Sequence, residues 1–360
     1  MIHVGGTNGK GSTCAFLAAE LESRGLKVGL YTSPHLVSPC ERITVNGVPI
    51  GEDAFARWTT HLKPHIERLD ASFFEATTAI AFADLAARGV DIAVVEVGLG
   101  GRLDATNVLT PLVSVVTKIA LEHTDYLGKD LNTIAREKAG IAKPGVPFVT
   151  GERDPEVLAE LIAEAKRRGA VPIVHASDRG AAATGTTLGL RGPHQVANAA
   201  VALAALRRLP PPFALDLPDE GFPPSFAQAY IPGRFEQRGK WILDVAHNPD
   251  GVQVLVQALA ALAPRRPIHA LVGIRNDKEW RPMLALLAPV VDRLVVTVPP
   301  SIPVMQRWSA EDFETGHTFE PDFERALREI QEGAATVLVT GSFHTVGDAM
   351  ARLPGFAPVG

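Results

Sequence analysis

Apolar strand-like runs alternate with helical stretches from the second residue onward, which predicts an α/β fold on a mainly parallel sheet. Two further observations support this. The runs are apolar throughout rather than alternating, as in strands buried on both faces. The series also lapses once, where prolines and acidic residues crowd between Pro210 and Pro224, and then resumes. The expected organisation is a larger unit over 1–229 and a smaller α/β unit over 230–360, with a linker at about 210–230; a surface loop is the other reading of that stretch.

Taken in order, the first unit's strands are Ile2–Val4, Val28–Tyr31, Ile92–Val97, Leu112–Thr117, Pro147–Thr150 and Pro172–His175. Helical periodicity covers Thr13–Arg24, Asp53–Leu69, Phe73–Arg88, Leu131–Ala142, Pro155–Arg168 and the Ala/Leu-rich His194–Leu209. Asn46-Gly47 between two β-prone arms makes Ile43–Ile50 a small hairpin. The second series has strands at Trp241–Val245, Ile268–Ile274, Leu294–Val298 and Thr336–Thr340, each followed by a helical stretch.

The 360 residues carry a formal charge of −5 and a pI near 6.1, which gives no electrostatic reason to expect a nucleic acid or an anionic membrane. No apolar segment reaches spanning length and no signal peptide is visible. The two cysteines, Cys14 and Cys40, lack CxxC spacing and suit a reducing cytoplasm; Cys14 falls on the apolar side of its helix.

The first strand runs into Gly5-Gly6-Thr7-Asn8-Gly9-Lys10-Gly11-Ser12 and then a helix. Converging amides, a helix N-terminus and one lysine make a phosphate cradle; a turn that merely packs helix on strand is the plainer reading. The spacing departs from the strict P-loop. Val4 stands where the first glycine belongs, and Gly11 where a Ser or Thr belongs.

Further polar groups follow the carboxyl ends of strands, where open α/β sheets place ligands. Thr32-Ser33-Pro34-His35 follows the second strand, although Ser-Pro alone is a turn. Glu96 closes a buried strand ahead of a glycine-rich loop; a magnesium ion or a pairing with Arg102 would satisfy it. Glu122-His123 follows the next strand, where a histidine is either a hydrogen-bonding residue or a metal ligand. Arg136-Glu137-Lys138 reads most simply as a solvated helix face. His194 and Asn198 share a face, for capping or for contact with a base or ribose. Arg234, Asp244 and His247 concentrate at the second unit's entry and first strand end.

Together these segments resemble the folylpolyglutamate synthase/dihydrofolate synthase family of the Mur ligase superfamily. The matching pieces, in the family's order, are GTNGKGS (Gly6–Ser12), YTSPHL (Tyr31–Leu36), ERI (Glu41–Ile43), FFEATTAIAF (Phe73–Phe82) and VVEVGLGGRLDATN (Val94–Asn107). Then come LEHTDYLG (Leu121–Gly128), REKAGI (Arg136–Ile141), GPHQVANA (Gly192–Ala199), PGR (Pro232–Arg234), DVAHNPDG (Asp244–Gly251) and GSFHTVGD (Gly341–Asp348).

The resemblance implies a P-loop-containing, mainly parallel sheet domain followed by a smaller Rossmann-like α/β domain. It places magnesium on Ser33, Glu96 and His123, with a second ion held through a carbamylated Lys138. ATP falls on Thr7, Asn8, Gly9, Lys10, Gly11 and Ser12, and further on Asn198, Arg234 and Asp244, with His247 close to the nucleotide. Lys10, Lys138, Arg234 and His247 are the implied catalytic groups, and Asp104, Ala105 and Thr106 match positions associated with the pterin. The implied reaction activates a substrate carboxylate as an acyl phosphate and transfers it to the amine of L-glutamate. The acceptor is a folate, or dihydropteroate in a bifunctional member. The implied protein is a cytoplasmic monomer whose partners are small molecules.

Members of the family usually carry a helical stretch ahead of the first strand, part of which lines the pterin pocket. The sequence here starts on that strand, which bears on the dihydropteroate reaction more than on ATP binding. A Mur-type ligase acting on a UDP-muropeptide is the rival reading, and Gly11 after Lys10 counts against it. A P-loop switch would leave Arg234, Asp244 and His247 unexplained, and a shortened, inactive ATP-binding paralogue would not need every polar position intact.

Overall fold

The computed structural model describes residues 1–176, 187–309 and 316–356; the last four residues of the expected second unit lie outside these. The first unit contains β1 (Ile2–Gly5), α1 (Lys10–Ser23), β2 (Val28–Tyr31), β3 (Ile43–Val45), β4 (Val48–Pro49), α2 (Glu52–Leu69), α3 (Phe73–Ala87), β5 (Ile92–Glu96), β6 (Val113–Val116), α4 (Thr124–Leu127), α5 (Leu131–Ala139), β7 (Phe148–Thr150), α6 (Pro155–Arg167), β8 (Ile173–His175) and α7 (His194–Leu206). Its strands form one sheet in the order β4-β3-β2-β5-β1-β6-β7-β8. All pairings from β2 to β8 are parallel, and the hairpin β3–β4 adds an antiparallel edge. Asn46 and Gly47, both at positive φ, make the predicted turn.

The second unit contains β9 (Glu236–Arg238), β10 (Trp241–Leu243), α8 (Pro249–Leu262), β11 (Ile268–Val272), α9 (Trp280–Leu287), β12 (Arg293–Thr297), β13 (Thr318–Glu320), α10 (Phe323–Glu329), β14 (Thr336–Thr340) and α11 (Phe343–Met350). The sheet order is β13-β12-β11-β14-β10-β9, with β9 antiparallel. β9 and β13 escape the sequence pattern because each is three residues long, at a sheet edge, and holds charged side chains.

Register places the site. Val4 pairs with Glu96 and Gly5 with Val116, so the phosphate loop, Glu96 and Thr117 leave the sheet at one level. In the second sheet Leu243 pairs with Val339 and Val272 with Thr340, which brings Asp244, Gly273 and Gly341 to the corresponding edge. Helix α1 begins three residues before the predicted Thr13, because Gly9 in the left-handed region (φ 94°) turns the chain directly into it. Lys10 and Ser12 therefore lie in its first turn.

Both faces of each sheet are covered. On the first, α1 and α7 bury one face around Phe16, Leu17 and Leu206, while Ile134, Phe148 and Leu161 fill the other. The 210–230 stretch carries no helix or strand beyond the 3-10 turn Pro224–Gln228, yet it is not a free tether: Phe222 and Phe226 are buried in the first unit's core. Phe226 is fully buried, with its ring 4.9 Å from Phe16 and 5.8 Å from Phe222. Phe226→Ala should therefore lower the unfolding free energy by about 3–5 kcal/mol, read from urea denaturation. An unchanged midpoint would show that this stretch does not support the first core.

Candidate active site

The carboxyl edges of the two sheets face each other across a cleft of about 470 Å³, within the usual range for a small-molecule site. Thr7 through Ser12, Ser33, Glu96, His123, Lys138, Asn198, Arg234, Asp244 and His247 all line it. Eight segments distant in sequence thus converge on one space.

The phosphate loop is pinned from below. Thr7 donates its N–H to the Lys118 carbonyl (2.8 Å), and its hydroxyl exchanges hydrogen bonds with Ala120. Helix α1 has no side-chain cap, so its first amides are open to an anion. Lys10 Nζ donates to the carbonyls of Gly6 (3.1 Å) and Thr7 (3.0 Å), folded back over the loop. A Cβ on Gly9 would lie 2.3 Å from Asn198 Oδ1, so this glycine lets α7 close onto the loop. Asn198 is itself held by donating to Gln195 Oε1 at 2.9 Å.

Glu96 is buried and its carboxyl is raised by burial, against Lys10, the Ser33 N–H and Arg234, which favour the charged form. Ser33 N–H reaches Glu96 Oε2 at 3.2 Å. The alternative partner is excluded: Arg102 pairs with Glu137 at 2.9 Å. Lys138 departs from its neighbours. Arg136 is exposed, as a solvated face would have it, but Lys138 is buried and donates to the Gly6 carbonyl at 2.9 Å. Burial, with Lys10 nearby, brings its amine down to about 7.

His123 lies at a positive φ of 52° ahead of α4, and burial lowers its imidazole to about 4, which leaves it neutral near pH 7. Among the described residues no three His, Cys, Asp or Glu side chains gather around one point. The donor set across the cleft is instead a hydroxyl, a buried carboxylate and a neutral imidazole. That set fits a divalent ion shared with phosphate oxygens, because Glu96 supplies a buried charge that Lys10 and Arg234 only partly offset.

The second unit contributes from above. Arg234 lies 5.3 Å from the Phe343 ring centroid, and Asp244 accepts N–H bonds from Phe235 and Ala246, both at 2.9 Å. His247 faces the Val245 carbonyl with Nδ1 (2.9 Å) and Glu122 Oε1 with Nε2 (2.9 Å). Burial pushes Glu122 up, but the His247 bond and charge outweigh it and, with Lys10 and His123, hold the carboxyl well below its usual range. Sequence reasoning did not single out Glu122; an acid directly before a candidate ligand histidine was the available signal. A second cross-cleft group was missed as well: Asp250 accepts from Asn8 Nδ2 (2.7 Å) and pairs with Lys118.

Asp104, Ala105 and Thr106 are not brought to the cleft. Asp104 accepts from the amides of Leu99 (2.8 Å) and Thr106 (2.9 Å), and the fully buried Thr106 hydroxyl donates to it while accepting from His3 Nε2 (2.8 Å). What reaches the cleft is the loop they brace, through Gly98 and Leu99.

The chain matches the Mur ligase middle domain over residues 4–186 and the Mur ligase glutamate ligase domain over 233–343. It is 37% identical to the Escherichia coli dihydrofolate synthase/folylpolyglutamate synthase, across 96% of this chain and 85% of that protein. For the Bacillus subtilis protein of the same name the values are 33%, 98% and 90%. The solved structure of Escherichia coli FolC in complex with DHPP and ADP superposes with a TM-score of 0.84 at 34% identity, covering 97% of this chain and 87% of that one. A bifunctional folylpolyglutamate synthase/dihydrofolate synthase with Mn, AMPPNP and L-glutamate bound also gives 0.84, at 35% identity over 97% and 88%. With both domains in order and the cleft between them lined by the expected polar groups, this chain belongs to the folylpolyglutamate synthase/dihydrofolate synthase family of the Mur ligase superfamily.

Proposed function

We propose that this protein is an ATP-dependent ligase that adds L-glutamate to folates, and to dihydropteroate as a bifunctional enzyme, through an acyl phosphate. The observation that carries this reading is the convergence of the phosphate loop, Glu96 and Lys138 from one sheet edge with Arg234 and His247 from the other. A nucleotide-binding switch has no need of the second set. The relatives, folylpolyglutamate and dihydrofolate synthases seen with ADP, AMPPNP and L-glutamate, support the same chemistry.

The loop amides of Gly9 to Ser12 receive the phosphates, and Lys10 exchanges two neutral carbonyls for phosphoryl oxygens as they arrive. Arg234 adds charge from the opposite side, so the phosphoryl group moves to the substrate carboxylate between two cations. Bound magnesium, held by Ser33, Glu96 and His123, supplies neutralisation of the phosphate charge. The glutamate amine then displaces phosphate from the acyl carbon, forming the amide. We place the division between the units near residue 230, so that closure excludes water from the acyl phosphate. Asp104, Ala105 and Thr106 act on the acceptor by shaping the Leu99 loop. We read the protein as a cytoplasmic monomer; no helix among the described residues is long and apolar enough to cross a membrane.

The defining experiment measures ATP- and glutamate-dependent ligation separately with a reduced folate and with dihydropteroate. Turnover of the folate is expected, and turnover of neither sinks the proposal. Glu96→Ala should lower the folate rate by roughly a thousandfold, the several kcal/mol that metal charge stabilisation provides, while leaving the fold intact by circular dichroism.

Lys138 is poised for carbamylation. A neutral amine attacks carbon dioxide, the N–C bond forms, one proton leaves, and a buried cation becomes an anion able to hold a second magnesium ion. Protein prepared in ¹³C-bicarbonate should show a carbamate resonance that Lys138→Met lacks; its absence in active wild-type enzyme counts against the modification.

The unmodified lysine also predicts a pH dependence. Its folded pKa, about 7, lies below the 10.5 of a free lysine side chain, so between these pH values the unfolded chain binds the extra proton. Stability then rises with pH across that window, and the penalty for burying the ammonium is largest below pH 7. In carbon dioxide-free buffer, Lys138→Met should be more stable than wild type at pH 6.5, with the gap narrowing towards pH 9. A gap independent of pH would show that the buried amine does not titrate in this range.

A further inference from the structure

Glu41 belongs to the Glu41-Arg42-Ile43 stretch, to which the chemistry above assigns no role, and it does not line the cleft. It lies in the 3-10 turn Pro39–Arg42, and its carboxylate gathers three consecutive backbone donors. Leu36 N–H reaches Oε2 at 2.8 Å, and Val37 and Ser38 reach Oε1 at 2.9 and 2.7 Å. One charged acceptor on three successive amides fixes the shape of the loop that runs from Ser33 to Ser38.

The two ends of this loop serve different units. At the front, Ser33 donates its N–H to the buried Glu96. Towards the back, Leu36 leaves its own unit and packs against the second unit's core, which includes Leu243, Val245 and Val346. Helix α11 approaches Leu36 so closely that a Cβ on Gly347 would lie 2.0 Å from the Leu36 carbonyl oxygen and 3.3 Å from its Cα. A Cβ on Gly233, the neighbour of Arg234, would lie 3.6 Å from Leu36 Cδ1. Close-packed contacts of this kind shift as wholes rather than yielding by degrees.

We infer that Glu41 is a positioning residue: by holding the Ser33–Ser38 loop rigid, it makes the seating of the second unit on Leu36 and the presentation of Ser33 beside Glu96 a single event. Without the carboxylate, the loop would absorb the displacement and the two ends would move independently. This inference rests on reading Ser33 and Glu96 as the metal-holding edge of the cleft.

The test compares wild type, Glu41→Gln, Leu36→Ala and the double variant. Calorimetry measures affinity for a non-hydrolysable ATP analogue across a magnesium titration, and for ADP in EDTA; thermal melting reports folding. Outer-shell partners of metal ligands typically change metal affinity by about 10–100-fold. Each single variant should therefore raise the half-saturating magnesium concentration by about tenfold, with ADP affinity in EDTA within about twofold of wild type. Because both act on one loop, the double variant should be no worse than the poorer single one. A wild-type magnesium requirement in either folded variant, or additive effects in the double, overturns the coupling. If Glu41→Gln does not fold, Leu36→Ala decides by the same criterion, since it leaves the three amide bonds intact. Analogue affinity that is independent of magnesium in the wild type would instead overturn the metal reading on which the inference stands.

Discussion

The cleft depends on one uncomfortable placement, the carboxylate of Glu96 at the end of a central strand with almost no solvent around it. Burying a charge there is costly unless something positive comes to it. Three cations act on it: Lys10 from the phosphate loop, Arg234 from the second unit and Arg42 from the loop beside the hairpin. None of the three makes a hydrogen bond to it among the described contacts; the bond it does accept comes from the Ser33 amide. The site thus holds an anion that is compensated at a distance and open on one side, which is the condition under which a divalent ion with its phosphates is bound strongly.

The same low-dielectric floor accounts for Lys138. Its ammonium faces a carbonyl and lies near Lys10 rather than against a carboxylate, so burial and like charge both favour the neutral amine. Of the two lysines on this floor, the one reached from helix α5 is the one whose ammonium burial disfavours. The sequence placed it on a helix next to Arg136 and Glu137, and charge alone could not distinguish them. Three residues in a row sample nearly every side of a helix, so one of them had to point inward.

Most strands, and the edge on which the site sits, were legible because buried parallel strands are continuous apolar runs and their carboxyl ends were marked by glycine and polar residues. The start of α1 was not, because Gly9 at its cap and Gly11 and Ser12 in its first turn lower helix propensity, and the helix is held by packing against α7 and the sheet instead. β9 and β13 were lost to their length and charge. Glu122 and Asp250 were missed for a different reason. Their significance lies across the cleft, in His247 for the one and in Asn8 and Lys118 for the other, and no local pattern reports a partner more than a hundred residues away. Asp104 and Thr106 show the converse: a segment that matched a substrate position is turned inward, where it braces the loop that does face the cleft.

The glycine after Lys10 draws these threads together. A conventional phosphate loop has a hydroxyl there, and a side chain on Gly11 would begin 2.8 Å from Ile231 Cδ1, with Glu96 at 3.8 Å and Arg234 at 3.9 Å. The space that a P-loop Ser or Thr would fill is already occupied by the junction with the second unit. In the proposed reading the metal's hydroxyl then comes from another direction: Ser33 stands at a nearby strand end, hydrogen-bonded to Glu96 through its own backbone. The departure from the P-loop pattern therefore goes with a second unit packed onto the loop, from which, in the proposed mechanism, Arg234 reaches the phosphates. In the proposed mechanism, the enzyme that joins two substrates takes this arginine from the second unit and the metal's hydroxyl from a loop on which the second unit also rests.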